Sequence, residues 1–292
     1  MAKIGFIGAG TVGTALAVRM SQRGYSVVSV ASHSRASAQR LASQVSGCRD
    51  YASGDEVART ADLVFITTPD GAIGLVAAEV PWRRGQAIVH CSGADSLDIL
   101  EPARRRGAQV GAFHPLQTFA SVAQAIKNIP GSTFALEAEE PLLSTLKSLA
   151  EALEGQWVVL GAGDKVLYHA SAVMACNYLV TLMKMATDLW QTFGVSPREA
   201  TQALMPLLRG TLNNLERVGL PNCLTGPVAR GDLGTIRKHL EALEKKAPYL
   251  LPAYRELGLQ TIPVALGKGR IDEAKAQEMR ALLDVREAIA TS

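Results

Sequence analysis

The sequence predicts an α/β protein: a doubly wound, mostly parallel sheet followed by an all-helical C-terminal domain. Three observations carry this. A short apolar run over residues 3–7 leads straight into Gly8-Ala9-Gly10-Thr11-Val12-Gly13 and then into an amphipathic segment. Up to about residue 160, runs of β-formers alternate with helix-period segments, which implies parallel strands with helices on both faces. From residue 161 onward the apolar period is helical only. The expected division is residues 1–160 and 161–292.

The glycine turn organises the first half. Gly8 allows a tight turn, Gly10 lets the backbone approach a pyrophosphate, and Gly13 lets the helix pack closely. The helix that follows offers free N–H groups and a partial positive charge, including those of Thr11 and Val12. This strand–turn–helix context makes the Rossmann dinucleotide fold the expectation. Gly24 closes the first helix before a second strand over residues 25–31. A helix is expected over 36–44, a strand over 62–67, a helix from about 71 and a strand over 86–91. Further strands are expected over 109–113, ending at His114-Pro115, then over 132–136 and 156–160. Ligands in such sheets lie beyond the carboxyl ends of the strands, so those ends hold the candidate residues.

The end of the second strand selects the cofactor. A carboxylate there would accept from a ribose hydroxyl and repel a 2′-phosphate. No Asp or Glu precedes Asp50, and Ser32-His33-Ser34-Arg35 occupies the position. Two hydroxyls and a guanidinium form a phosphate cradle, so NADP is the expected cofactor; the other reading has Arg35 merely starting a solvated helix. Thr67-Thr68-Pro69 suits backbone contact near the nicotinamide ribose and suits equally a helix start with Asp70 as cap. Ser92-Gly93 is placed to line the nicotinamide pocket, while His90 reads as structural. His114 at a strand end faces the cleft, with Pro115 fixing the chain that leaves it and Gln117 and Thr118 adding hydrogen-bonding groups.

The second half reads as one long helix over 165–193, apolar on most faces, which is expected to be buried against another subunit of a homodimer. Asn177 and Lys184 within it argue against a membrane span. Ser196 and Pro197 start the next helix, over 197–217. A constrained loop at 220–232 contains Gly226-Pro227, Arg230 and Gly231, with Asp232 as the following cap. Helices over 233–246, 248–258 and 272–290 complete the chain. Arg230 can clamp a substrate carboxylate or pair with Asp232.

Bulk properties narrow the function classes. At 292 residues, 48% hydrophobic and 20% charged, the chain has the make-up of a soluble globular protein of two domains. A net charge of +3 gives no reason to expect nucleic acid, and Arg104-Arg105-Arg106 reads as a solvated helix end. Cys48, Cys91, Cys176 and Cys223 are scattered, which fits reduced thiols of a cytoplasmic protein better than a disulfide frame or a metal site. A core strand beginning at residue 3 leaves no room for a signal peptide.

The Rossmann half resembles the superfamily that includes 6-phosphogluconate and β-hydroxyacid dehydrogenases, prephenate dehydrogenase and pyrroline-5-carboxylate reductase. A closer resemblance spans nearly the whole chain. It is to bacterial Rossmann-like proteins with a C-terminal domain of unknown function, described as NADP oxidoreductases related to deazaflavin-dependent reductases. The residues that carry it are His114-Pro115-Leu116-Gln117-Thr118-Phe119, Tyr168-His169-Ala170 with Asn177-Tyr178, and 224–232. The resemblance implies three proton-transfer candidates. Lys165 falls where β-hydroxyacid dehydrogenases carry an acid/base lysine, His169 replaces their asparagine one turn later, and His114-Pro115 matches a His-Pro of prephenate dehydrogenases. Asn177, Gln117 and Arg230 are the substrate-binding candidates. The implied activity is hydride transfer between NADP(H) and a carbonyl, imine or secondary alcohol of a small polar substrate. The alternatives are an NADP-binding dimeric sensor or scaffold without turnover, and exchange with a deazaflavin.

Overall fold

The structure is a computed structural model of residues 1–292, and residues 2–284 are described. Eight strands form one sheet in the order β3-β2-β1-β4-β5-β6-β7-β8. They are β1 (Lys3–Ile7), β2 (Ser26–Ala31), β3 (Arg49–Tyr51), β4 (Leu63–Ile66), β5 (Ala87–His90), β6 (Gln109–Leu116), β7 (Thr133–Ala138) and β8 (Gln156–Val159). All neighbours are parallel except β6 and β7. The first six strands have the doubly wound order whose direction reverses between β1 and β4, which opens a crevice at their carboxyl ends.

Helices α1 (Thr11–Gln22), α2 (Arg35–Gln44), α3 (Gly54–Thr60), α4 (Asp70–Glu79), α5 (Glu101–Arg105), α6 (Val122–Asn128) and α7 (Leu142–Ala152) cover the two faces. The central strands are buried on both sides, so they read as continuous apolar runs such as Leu63-Val64-Phe65-Ile66. On one face Phe6, Phe65, Phe113 and Phe134 follow one another across the sheet, with ring centroids 5.3, 5.8 and 4.5 Å apart. Each such pair adds about 0.5–1.5 kcal/mol beyond its buried area. The opposite face is closed by Ile66, Ile88, Val110 and Ala112 with Leu97, Leu100 and Ala103.

Two expectations change here. β6 does not stop at Phe113: it runs through His114 and Pro115 to Leu116, because the antiparallel strand β7 continues to pair with it where β5 has ended. Asp70 does not cap α4. Pro69 holds that position and Asp70 lies in the first turn.

The chain divides into two compact units, 1–177 and 178–292. Residue 160 marks where the strands end, but the first unit continues through α8 (Asp164–Ala172) and a π-helical turn, Val173–Asn177. Among the described residues, the second unit contains α9 (Tyr178–Gln191), α10 (Pro197–Val218), α11 (Leu233–Lys246), α12 (Leu251–Gly267) and α13 (Glu273–Leu283). Ile236, Leu240, Ile262, Ala276, Met279 and Leu283 form its core. Ser196 and Asp232 cap α10 and α11 as expected. The continuation expected for the last helix over 285–290 lies outside the described residues.

The long helix Asp164–Gln191 is the element for which a covering subunit was expected. It has 28 residues and a mean hydropathy of 1.4, long and apolar enough to cross a membrane by length and composition. It is not buried within the chain: Leu167 is 76% and Val180 69% exposed, and Val166, Met174 and Tyr178 are exposed too. An apolar pattern on most faces shows that burial is favourable but not what provides it.

Candidate active site

The glycine turn has the geometry its spacing requires. Gly8 adopts φ +110° and donates its N–H to Ala31 O. A Cβ on Gly13 would lie 2.3 Å from Thr67 Oγ1 and 2.6 Å from Gly8 O, so only glycine fits. A Cβ on Gly10 would meet nothing within 4 Å, which leaves its backbone open to a ligand. Thr67 Oγ1 donates to Gly8 O at 2.8 Å and ties the turn to the end of β4. Thr68 Oγ1 is buried beside them with no hydrogen-bond partner. A cavity of about 650 Å³ runs along these strand ends, lined by Gly8, Gly10, Ser32, His33, Ser34, Thr67, Thr68 and Pro69. Thr11 lines an adjoining cavity, whereas the Val12 side chain packs on the core and leaves only its backbone to a ligand.

The phosphate cradle differs in one member. Ser34 caps α2 by accepting from Ser37 N–H. Ser37 Oγ donates to Ser34 Oγ at 3.1 Å, and Arg40 Nη2 donates to Ser37 Oγ at 2.8 Å. Arg40 lines the cavity beside Gly10 and Thr11. Arg35 lines neither cavity: it is 77% exposed and lies 4.0 Å from Asp50. Ser37 and Arg40 were legible as one helix face, Ser34-Ser37-Arg40 at intervals of three, though the sequence reading stopped at Arg35.

A further cavity of about 450 Å³ opens beside the end of β6. His114, Gln117, Thr118, His169, Ser171, Cys176 and Asn177 line it, and no Asp, Glu, Lys or Arg does. Four expected residues, His114, Gln117, His169 and Asn177, thus come together. The π-helical turn supplies Cys176 and Asn177; such turns recur at functional sites because the extra residue re-aims side chains. The His114 and His169 rings stand 6.2 Å apart, edge to face. His114 Nδ1 lies 2.8 Å from Tyr168 Oη. Burial pushes the Tyr168 phenol up to about 12, so we assign its O–H as donor and place the ring proton of His114 on Nε2. Burial, then the charges of Lys165 and His169, holds His114 down at about 4. The ring is therefore neutral at pH 7. Gly93 makes room for both histidines: a Cβ there would sit 2.6 Å from His169 Cδ2 and 2.8 Å from His114 Nε2. From sequence, Tyr168 carries no role, and Gly93 is expected to line the nicotinamide pocket, not to make room for two histidines.

Other expected residues take different places. Ser92 is spent on its own turn: its Oγ accepts from Ala94 and Asp95 N–H, and its N–H donates to His90 Nδ1. His90 is fully buried, as its structural reading implied. Lys165 does not line the cavity; it is 2% exposed and its Nζ has no hydrogen-bond partner. Burial lowers its pKa to about 8. In the second unit, Arg230 lies 4.0 Å from Asp232 and lines a small basic cavity with Lys268 and Arg270.

Residues 1–115 match the model of a Rossmann-like domain, and residues 132–261 match a domain of unknown function, DUF2520. The DUF2520 match takes in the whole stretch from β7 through the π turn to most of α12. A solved structure from Thermotoga maritima superposes with a TM-score of 0.75 at 25% identity, covering 91% of this chain and 100% of that one. A Bacteroides fragilis protein, described as a candidate NADP oxidoreductase, superposes with a TM-score of 0.71 at 25% identity, covering 90% and 98%. A reductive aminase from Aspergillus terreus, in complex with NADPH and ethyl levulinate, shares the fold with a TM-score of 0.65 at 20% identity, covering 95% and 99%. No curated protein sequence matches this chain.

Proposed function

We propose that this protein is an NADP(H)-dependent oxidoreductase acting on a carbonyl or imine carbon of a small molecule, or on the corresponding alcohol or amine. The observation that carries the reading is the order of groups along the carboxyl edge of the sheet. Ser32 to Ser34 stand at β2, the glycine turn at β1, Thr67 to Pro69 at β4, Gly93 after β5 and His114 on β6. At about 4.8 Å per strand, this edge spans roughly 19 Å. The open face of Gly10, the unpartnered Thr68 hydroxyl and the hydroxyl–guanidinium cradle fit a phosphorylated dinucleotide. The likeness to a Bacteroides fragilis NADP oxidoreductase supports the same cofactor.

The bound nicotinamide would supply or accept the hydride. The protein's residues orient the substrate and move the proton. The neutral His114 ring offers Nε2–H to a substrate oxygen or nitrogen as negative charge develops there, an oxyanion-type donor. Transfer of that proton leaves His114 to take the Tyr168 proton at Nδ1, so the ring ends neutral in its other tautomer and Tyr168 recovers a proton from solvent. Gln117 and Asn177 offer amide groups at the cavity wall, and Arg230 remains a proposed anion clamp. Lys165 acts from behind as a buried charge. The exposed apolar stripe of the long helix supports a homodimer, and the four free thiols support a cytoplasmic setting.

The test follows NADPH consumption with cyclohexanone, alone and with methylamine, as probes. Turnover by the wild type, lowered at least tenfold in His114→Ala and partly in Tyr168→Phe with NADPH binding intact, supports the reading. Turnover that survives His114→Ala unchanged overturns this use of His114.

A further inference from the structure

The loop that follows α10 gathers positive charge around a cavity of the second unit. The cavity has a volume of about 190 Å³. Arg230 reaches it from the loop, and Lys268 and Arg270 reach it from the residues just after α12. No Asp or Glu is among its lining residues. The arrangement is held in place. Lys268 Nζ donates to Asn222 O at 2.9 Å and to Leu224 O at 2.6 Å, which ties the end of α12 to the loop. Arg230 ends a 3-10 turn, Val228–Arg230, whose middle residue, Ala229, is buried. The loop also brings neutral donors to the same wall. Thr225 and Gly226 line the cavity, and among the described residues neither donates a hydrogen bond. A Cβ on Gly226 would meet nothing within 4 Å, so its backbone is open to the cavity.

Three cations around so small a space repel one another unless opposite charge offsets them. The fold supplies this only in part. The carbonyl end of α12 favours cations, but it carries only about half an elementary charge. Asp232 lies 4.0 Å from Arg230, beyond hydrogen-bonding distance. Its carboxylate is spent on capping α11, accepting from Thr235 N–H at 3.0 Å and from Thr235 Oγ1 at 2.7 Å. Arg270 has no ion pair among the described residues. We propose that Arg230, Lys268 and Arg270 form a binding site for a phosphate dianion, either free or carried on an organic phosphomonoester. A carboxylate is satisfied by one guanidinium fork. Cations from two segments, together with the Thr225 and Gly226 donors, suit a tetrahedral group whose oxygens point several ways. With Asp232 counted, two positive charges are left over, which a dianion neutralises. The site goes beyond the clamp proposed for Arg230, because it adds Lys268 and Arg270 and does not depend on hydride transfer.

The test is an NMR titration of the full chain, 15N-labelled at arginine, at a pH where both probes are dianions. The probes are inorganic phosphate and, separately, methyl phosphate, each compared with sodium chloride at equal ionic strength. Arg230→Gln and Arg270→Gln assign the two Nε–H resonances. Both resonances should move with one saturable midpoint on phosphate and not on chloride. Loss of one charge-assisted contact costs roughly tenfold or more in affinity. Arg270→Gln should therefore raise the midpoint read at Arg230 by about that factor, with Arg270→Lys in between. Both arginines are exposed, so these changes remove charge and not packing. Arg40→Gln should leave this midpoint unmoved, which separates the site from the cradle beside Gly10. Methyl phosphate binding as tightly as inorganic phosphate supports a phosphomonoester as the ligand, and binding of inorganic phosphate alone supports the free ion. Shifts that follow ionic strength only, or a midpoint that Arg270→Gln leaves unchanged, overturn the proposal. NADPH binding decides the oxidoreductase reading separately, and Arg270→Gln should leave it intact. A wild type that binds phosphate here but no NADPH keeps this site and loses that reading.

Discussion

At the scale of single residues the account turns on charge. Arg40 is tied through Ser37 to the cap residue Ser34 and faces the cavity, whereas Arg35 leans toward Asp50. A charge-assisted hydrogen bond is worth about 1.5–3 kcal/mol, so Arg40→Gln should cost roughly ten- to hundredfold in NADPH affinity and leave NADH unaffected. Arg35→Gln should cost much less; equal losses for both would show that the two arginines share the phosphate. The buried groups also set a pH dependence. His90 is held at about 3 and His114 at about 4, against 6.5 in the unfolded chain. Between those values the unfolded chain binds more protons, so unfolding free energy should rise with pH from about 4 to 6.5. Lys165 acts in the same direction from about 8 upward, toward its ordinary 10.5, as its buried charge is relieved. Cys48 and Cys91, raised from 9.0 to about 12, oppose it above 9. Denaturant titrations should therefore show a rise between pH 8 and 9 that Lys165→Met removes; a rise that persists there would assign it to another group.

At the scale of elements, steric fit does most of the positioning. Gly93 lets the turn after β5 pass beneath two imidazoles. Gly93→Ala should cost about 1–3 kcal/mol of stability through overpacking and reduce turnover more than NADPH affinity. If both fall equally, the turn serves the cofactor and not the histidines. The glycine turn and the cap residues were legible because each rests on local backbone geometry: Gly8 needs its positive φ, and Ser196 and Asp232 each reach a backbone N–H three residues on. The reach of β6 was not legible. Pro115 looks like a strand terminator, and only pairing with β7, a distant contact, extends the strand through His114. The short strand β3 was missed because Arg49-Asp50-Tyr51 has no apolar alternation. Nor could sequence show that Lys165 is sealed and Tyr168 partnered by His114, since the two lie one helical turn apart and packing decides the surroundings of each.

At the scale of the whole molecule, an apolar helical surface requires a cover. Leu167 and Val180 lie exposed on the long helix, and Leu207, Leu212 and Leu215 on α10. Exposed apolar side chains in such number are the mark of an interface. Sedimentation should find a dimer, and Val180→Lys with Leu207→Lys should yield monomer; a monomeric wild type would send the search to a different partner. The central claim remains the dinucleotide site along the carboxyl edge of the sheet, because the cofactor, the hydride and the role of His114 all depend on it. The most direct test is a fluorescence titration of the purified protein with NADPH and, in parallel, with NADH. The account predicts saturable NADPH binding at least tenfold tighter than NADH, as expected for a phosphate held by Arg40 and the serine cradle. Equal affinities would contradict the cradle, and binding of neither nucleotide would contradict the oxidoreductase itself.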